Sequence, residues 1–78
     1  MKTLCLRLRR GEDLLESIRA FAEREDLAAA VVLSGVGCVS RARVRDAGGA
    51  NLRDIDEPCE IVSLNGTVSR TRCHLHVA

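Results

Sequence analysis

One segment with helical periodicity, set among short segments of strand-like pattern, constrains the fold of this chain most strongly. From Glu12 to about Glu25, apolar residues recur every three or four positions. The apolar face of this segment carries Leu14, Leu15, Ile18, Phe21 and Ala22. Glu12 and Asp13 lie in the first turn, where carboxylates interact favourably with the positive end of the helix dipole. We therefore predict a helix that begins at Glu12 and ends near Asp26.

The remaining apolar residues follow patterns typical of β-strands. Strands are predicted at residues 2–9, 28–37, 39–45, 59–65 and 72–78. Residues 28–37 are almost continuously apolar, which is typical of a buried central strand, whereas residues 46–57 are rich in glycine and aspartate and predict a loop. The expected order is β-α-β-β-β-β. We therefore expect an α/β fold of the α+β type, with one helix on a face of a mixed, mostly antiparallel sheet of about five strands. The helical crossover would allow the first two strands to be parallel.

The composition allows only a small hydrophobic core. The 78 residues include one Phe and no Tyr or Trp, so the core must be built from Leu, Val, Ile and Ala. A single small domain buries a modest share of its surface. We therefore expect either a homo-oligomer or one domain over residues 1–78 that stops early on its C-terminal side, because the last predicted strand reaches the final residue and one sheet face lacks a cover.

Charge and cysteine spacing argue against several classes of protein. The net charge is +1, whereas a dedicated nucleic-acid-binding domain is usually clearly basic. The four cysteines, Cys5, Cys38, Cys59 and Cys73, form no C-x-x-C pair of the kind found in zinc ribbons and thioredoxin-type sites. Without a secretory leader or an apolar run of about 18 residues, the expected location is cytoplasmic, with reduced thiols and no membrane contact.

His74 and His76 are candidate metal ligands. Residues two apart on a strand point to the same face, about 6.5–7 Å apart along it. Two imidazoles at that distance suit one zinc ion, which needs a third and usually a fourth ligand. Cys73 would point to the opposite face. The alternative is a pair of polar side chains on a sheet face or a subunit interface.

Arg41, Arg43 and Arg45 alternate with smaller residues and form a basic stripe on one strand face. Guanidinium groups suit phosphate contacts, so these arginines are candidate nucleic-acid-binding residues. Nearby carboxylates at Asp54 and Asp56 would oppose such binding. The alternative is a solvated outer face that protects the sheet from edge-to-edge aggregation.

Five segments taken in order resemble the plants-and-prokaryotes conserved domain family, abbreviated PPC. They are residues 6–8 (LRL), 11–18 (GEDLLESI), 30–37 (AVVLSGVG), 60–67 (EIVSLNGT) and 73–78 (CHLHVA). The resemblance implies a compact α/β fold with a mostly antiparallel sheet that assembles as a homotrimer. In plants such domains accompany AT-hook motifs in nuclear DNA-binding proteins. In bacteria and archaea they usually stand alone and are described as DNA-binding, with poorly defined activity.

The chain departs from the family pattern at several positions. It has no Arg-Gly-Arg-Pro core of an AT-hook, and Cys59 stands where the family usually has an aromatic residue before Glu60. The resemblance implies a partner surface at Glu60, Ile61 and Val62. The family also continues beyond the Cys-His-Leu-His segment with another glycine- and histidine-containing stretch.

These observations lead to one functional expectation and one alternative. We expect a homotrimeric, DNA-associated binding and assembly protein without an AT-hook, whose partners are its own copies and DNA or another DNA-binding protein. No catalytic residue is predicted, because no nucleophile and base can be paired from spacing. The alternative is a zinc-binding protein, or a metal-dependent enzyme acting on a small molecule, that uses His74 and His76.

Overall fold

The computed structural model describes residues 2–78 and contains one helix and seven short strands. The elements are α1 (Leu14–Arg24), β1 (Ala30–Val32), β2 (Gly37–Val39), β3 (Ala42–Arg45), β4 (Leu52–Ile55), β5 (Cys59–Ile61), β6 (Leu64–Val68) and β7 (Cys73–Val77). The α+β class, with one helix and mostly antiparallel strands, is confirmed. The strand count is seven rather than five, and the strands form three small sheets.

Local capping interactions fix both ends of α1. The Asp13 side chain accepts a hydrogen bond from the Glu16 backbone N–H at 2.9 Å, so the helix begins two residues later than predicted. At the other end Asp26 has a positive φ of 52°, and the Leu27 N–H donates to the Ala22 carbonyl at 2.9 Å. This is a Schellman arrangement in which aspartate replaces the usual glycine. No helix formed by residues 2–78 combines the length and apolar composition that a bilayer crossing requires.

The main sheet has the strand order β1-β6-β7, and both strand pairs are antiparallel. Helix α1 packs on one face of this sheet. The buried core consists of Ile18 and Ala22 from α1 and Leu64 and Val68 from β6. Since side chains alternate along a strand, the face of β6 that carries Leu64 and Val68 contacts the helix, and the opposite face is uncovered.

Two further antiparallel pairs complete the structure. Strand β2 pairs with β5, and Gly37 lies opposite Ile61. Strands β3 and β4 form a hairpin in which Arg43 lies opposite Asp54. In the turn between them, the Gly49 N–H donates to the Asp46 carbonyl at 2.8 Å.

The structure corrects the predicted strand at residues 2–9. This segment is not a strand, because within residues 2–78 no neighbouring strand pairs with its backbone. Its alternating pattern places Leu6 against the core instead. The β-α-β start is therefore wrong, and the expectation of a parallel first pair fails with it.

Residues 28–37 are not the central strand of the sheet. Only Ala30–Val32 is a strand, and it lies at the sheet edge while β6 occupies the centre. The Val31, Leu33 and Val36 side chains are 62%, 68% and 90% exposed. The apolar run therefore faces outwards over much of its length.

The predicted boundaries of the other strands also change. Strand β4 lies inside the predicted loop at residues 46–57 and is stabilised by pairing with β3. The predicted strand at 39–45 overlaps β2 and β3, and the one at 59–65 overlaps β5 and the start of β6. The predicted strand at 72–78 is confirmed as β7.

Two glycines allow close packing around β6. A Cβ added at Gly35 would lie 2.6 Å from the Leu64 Cδ2 atom, and one added at Gly66 would overlap the His74 carbonyl oxygen. Gly66 also has a φ of 148°, a conformation that side-chain-bearing residues rarely adopt. Both glycines therefore permit the approach of neighbouring groups to the central strand.

Truncation of Leu64 tests the contact between α1 and β6. We expect Leu64→Ala to lower the free energy of unfolding by about 2–4 kcal/mol, because it leaves a cavity in a core of few side chains. Leu52→Ala is the matched control, since Leu52 is 58% exposed, and its effect should stay within about 0.5 kcal/mol. Urea denaturation followed by circular dichroism measures both values, and equal losses would contradict this assignment of the core.

Candidate functional site

The β3–β4 hairpin places the predicted basic stripe on one exposed face. Arg41 immediately precedes β3, and Arg43 and Arg45 lie within it. The Arg43 guanidinium donates to both carboxylate oxygens of Asp54, with N–O distances of 2.6 and 3.2 Å. This hydrogen bonding lowers the pKa of Asp54 and raises the pKa of Arg43. The central arginine of the stripe is therefore paired within the hairpin.

The other two arginines also have acceptors in the hairpin. The Arg41 Nε atom lies 3.5 Å from an Asp56 carboxylate oxygen, and Arg45 donates to the Gly49 carbonyl at 2.8 Å. Sequence spacing indicated acidic neighbours, but only the strand register places them directly across from the arginines. All these side chains are exposed, so screening by water and salt weakens each ion pair. Binding of a phosphate to this face would require exchange of carboxylate for phosphate.

The predicted histidine pair lies on the sheet face that α1 does not cover. His74 and His76 are both exposed, and their ring centroids are 4.9 Å apart with the ring planes at 78°. Their cross-strand neighbours on β6 are Thr67 and Asn65, respectively. The structure thus brings the two imidazoles close together on one accessible face.

The remaining ligands of a metal site are not present beside these histidines. Within residues 2–78, no group of three or more His, Cys, Asp or Glu side chains has a metal-binding arrangement. Cys73 is half-buried and packs against the core on the helix side of the sheet, where desolvation raises the pKa of its thiol. Residues 2–78 therefore supply two neighbouring imidazole ligands, which is fewer than zinc sites use.

Of the predicted partner residues Glu60, Ile61 and Val62, the structure exposes Glu60 and Val62 and half-buries Ile61. Glu60 is exposed on β5, opposite Cys38. Ile61 is half-buried and packs against the core, whereas Val62 is 80% exposed. Of the two apolar side chains, only Val62 is available to a partner.

An exposed apolar strip is the feature that the sequence reasoning missed. It consists of Val31, Leu33, Val36 and Val62, and their exposed fractions range from 62% to 90%. Because Gly37 pairs with Ile61, the same antiparallel register places Val36 beside Val62. The signal was present as the apolar run at residues 28–37, but periodicity alone does not distinguish a buried strand from an exposed one.

Titration of Asp54 tests the geometry of the hairpin. We expect the pKa of its carboxyl group to lie below the usual value of about 3.9 for aspartate and to rise in Arg43→Ala. Because the folded-state pKa is lowered, the ion pair stabilises the hairpin above the usual aspartate pKa, and this contribution is lost as pH falls through the lower folded value. Carbon-13 NMR of the side-chain carboxyl measures the titration. Arg53→Ala is the control, since Arg53 interacts with Asp46, and an unshifted Asp54 in the wild type would contradict the pairing.

Comparison with known proteins assigns the chain to a family. The model of the Plants and Prokaryotes Conserved (PCC) domain, the family abbreviated PPC above, matches residues 1–78. The chain is also similar to two proteins named "Bifunctional protein GlmU". It is 38% identical over 73 residues to the one from Synechococcus sp. strain JA-3-3Ab. It is 35% identical over 77 residues to the one from Synechococcus sp. strain JA-2-3B'a(2-13). The matches cover 94% and 99% of this chain but only 12% of each GlmU protein. The chain belongs to the Plants and Prokaryotes Conserved domain family.

Proposed function

We propose that this domain is a binding and assembly module that forms a homo-oligomer, a trimer as the family resemblance implies, and associates with DNA in that form. The observation that carries the proposal is the exposed apolar strip formed by Val31, Leu33, Val36 and Val62. Val36 lies beside Val62 in the β2–β5 register, and a patch of exposed apolar side chains is typical of an interaction site. Self-association would remove this surface from water.

The size of the core supports assembly on energetic grounds. Only four hydrophobic side chains are buried among residues 2–78, whereas the strip leaves four aliphatic side chains largely exposed. Full burial of one such side chain stabilises by about 1.5–3 kcal/mol. Covering the strip would therefore add stabilisation that is large compared with what so small a core supplies.

The sheet organisation supports assembly as well. The β2–β5 and β3–β4 pairs are two-stranded, and isolated two-stranded pairs are at best marginally stable in water. Packing against neighbouring copies would stabilise the β2–β5 pair, since Val36 and Val62 flank it. The assembly surface would then include one of the two-stranded sheets.

The relatives support a modular role. The matching segments of the two Synechococcus proteins form about an eighth of much longer chains. A domain of this kind therefore occurs as one part of a larger polypeptide, as is expected of a module that connects or positions other parts. The bifunctional activity in the names of those proteins belongs to the whole proteins.

The DNA part of the proposal depends on the arginine stripe. Arg41, Arg43 and Arg45 lie on an exposed face, and the carboxylate partners of Arg41 and Arg43 are solvated and can be exchanged. A net charge of +1 gives one copy little general attraction for DNA, whereas an oligomer presents the stripe several times. DNA association thus follows assembly in this proposal.

Charge insertion into the strip tests assembly. We expect light scattering of the wild type to give an oligomer, and Leu33→Lys to give a smaller species, because a buried lysine ammonium is strongly disfavoured. Leu52→Lys is the matched control, since it makes the same change at an exposed leucine outside the strip and should leave the mass unchanged. A well-folded wild-type monomer would contradict the proposal.

A salt series tests the DNA contacts. Affinity for duplex DNA, measured by fluorescence anisotropy, should fall as salt concentration rises, because phosphate contacts release counterions. Replacing Arg41, Arg43 and Arg45 together by glutamine should lower the log–log slope by about 2–3. The same replacement at Arg7, Arg9 and Arg10 removes equal charge and should change the slope less. Salt-independent binding, or equal loss in both variants, would refute a role for the stripe.

A second candidate function is metal binding by His74 and His76, as a zinc-binding protein or a metal-dependent enzyme acting on a small molecule. The favouring observation is the 4.9 Å separation of the two exposed rings. A single chain would supply two ligands, so further ligands must come from elsewhere. Zinc binding that disappears in His74→Ala/His76→Ala protein would support this candidate.

A further inference from the structure

We propose that the two carboxylates opposite the arginine stripe, those of Asp54 and Asp56, determine which phosphate ligands the stripe accepts. They occupy its guanidinium groups until a chain of linked phosphates displaces them. The inference rests on the DNA association proposed above and names the residues that make it selective. The stripe then binds linked phosphates, as in a DNA strand, and rejects a single phosphate group.

Asp54 holds Arg43 in the geometry that a phosphate would require. The Nε and Nη2 atoms of Arg43 lie 2.6 and 3.2 Å from the two carboxylate oxygens of Asp54. Arginine binds carboxylates and phosphates through the same two-pronged arrangement, in which two N–H groups donate to two oxygens. Because a phosphate cannot take this position while Asp54 keeps it, the carboxylate is an internal competitor of the ligand.

Asp56 has the same relation to Arg41 at the next position along the hairpin. The Arg41 Nε atom lies 3.5 Å from a carboxylate oxygen of Asp56. Residues two apart in an extended chain share a face and are separated by about 6.5 Å, so Arg41 and Arg43 are neighbours on one line. Hydrogen bonding to Arg43 lowers the pKa of Asp54, and the charge of Arg41 lowers it further. The two ion pairs therefore lie side by side and act on each other.

Exchange of one carboxylate for one phosphate yields little net stabilisation. The Arg43 and Asp54 side chains are 65% and 51% exposed. Water and salt screen such a pair, so making or breaking it changes the affinity for a ligand by about fivefold at most. A single phosphate exchanges one ion pair for a similar one and also loses its translational freedom. We therefore expect a single phosphate to bind the stripe very weakly.

Linked phosphates lose this freedom only once. When the first group of a chain has displaced Asp54, the next group is held near Arg41 at a high effective concentration. Its exchange with Asp56 is then an intramolecular step. DNA carries a negative charge on every nucleotide and meets this requirement, whereas inorganic phosphate does not. The two carboxylates thus select for a chain of phosphates.

Coupling between Asp54 and Arg43 is the first measurement. Asp54→Asn keeps the shape of the side chain and removes its charge, so it should raise the affinity for duplex DNA about two- to fivefold in fluorescence anisotropy. In this background Arg43→Gln should lower affinity by a larger factor than in the wild type, because the arginine no longer has to leave a carboxylate. Asp46→Asn is the matched control. Since Asp46 pairs with Arg53, outside the stripe, it should leave the effect of Arg43→Gln unchanged.

Inorganic phosphate provides the second measurement. Titration at constant ionic strength, maintained with sodium chloride, should shift the NMR signal of the Arg43 Nε–H group more in Asp54→Asn than in the wild type. Equal shifts in the two proteins would contradict selection by the carboxylate. Asp56→Asn repeats both measurements at Arg41, and this second pair keeps the test decisive if the first variant disturbs the hairpin.

The outcomes distinguish the inference from the proposed function. If the folded wild type binds DNA and Arg43→Gln has the same effect in all three backgrounds, Asp54 does not compete for Arg43. That result overturns the inference and leaves DNA association in place. If neither the wild type nor Asp54→Asn binds duplex DNA, DNA association and the inference both fail.

Discussion

The contact between one helix face and the central strand organises this molecule. Ile18 and Ala22 of α1 meet Leu64 and Val68 of β6, and these four side chains are the buried core of residues 2–78. Gly35 leaves room for Leu64, and Gly66 leaves room for β7 to approach β6 closely. A core of this size can cover only one face of a three-stranded sheet, so the other face and the two smaller sheets remain accessible. The exposed surfaces are therefore a direct consequence of how little the helix can bury.

The parts of the fold that depend on local chemistry could be predicted from the sequence. The apolar periodicity located α1, although the predicted first-turn carboxylates Glu12 and Asp13 precede the helix, with Asp13 as its N-cap. The alternation of Cys73, Leu75 and the histidines located β7. The strands that depend on distant partners could not be predicted in the same way. Strand β4 has a loop-like composition and forms by pairing with β3, which places Asp54 across from Arg43. The segment at residues 2–9 alternates like a strand, but strand formation requires a neighbour as well as a pattern.

In the candidate sites as well, features that depend on local sequence could be predicted, whereas features that depend on distant strands could not. The sequence correctly placed the two histidines on one face of a strand, since that follows from the two-residue period. The exposure of that face depends on the order of the strands in the sheet, which cannot be deduced from the periodicity of the sequence. For the arginine stripe, the sequence identified both the cations and the nearby carboxylates, but the ion pairs with Asp54 and Asp56 follow from the hairpin register. The exposed strip was not predicted, because the apolar run at residues 28–37 has the pattern of a buried strand.

Self-association through the strip of Val31, Leu33, Val36 and Val62 is the central claim of this account. Amide hydrogen exchange measured across a dilution series tests it most directly, because a contact between copies protects its amides only while the copies are associated. We predict that protection within residues 33–36 rises with protein concentration, while protection in the β3–β4 turn at residues 47–50 does not depend on concentration. Exchange at residues 33–36 that is fast and independent of concentration in a folded protein would contradict self-association through the strip.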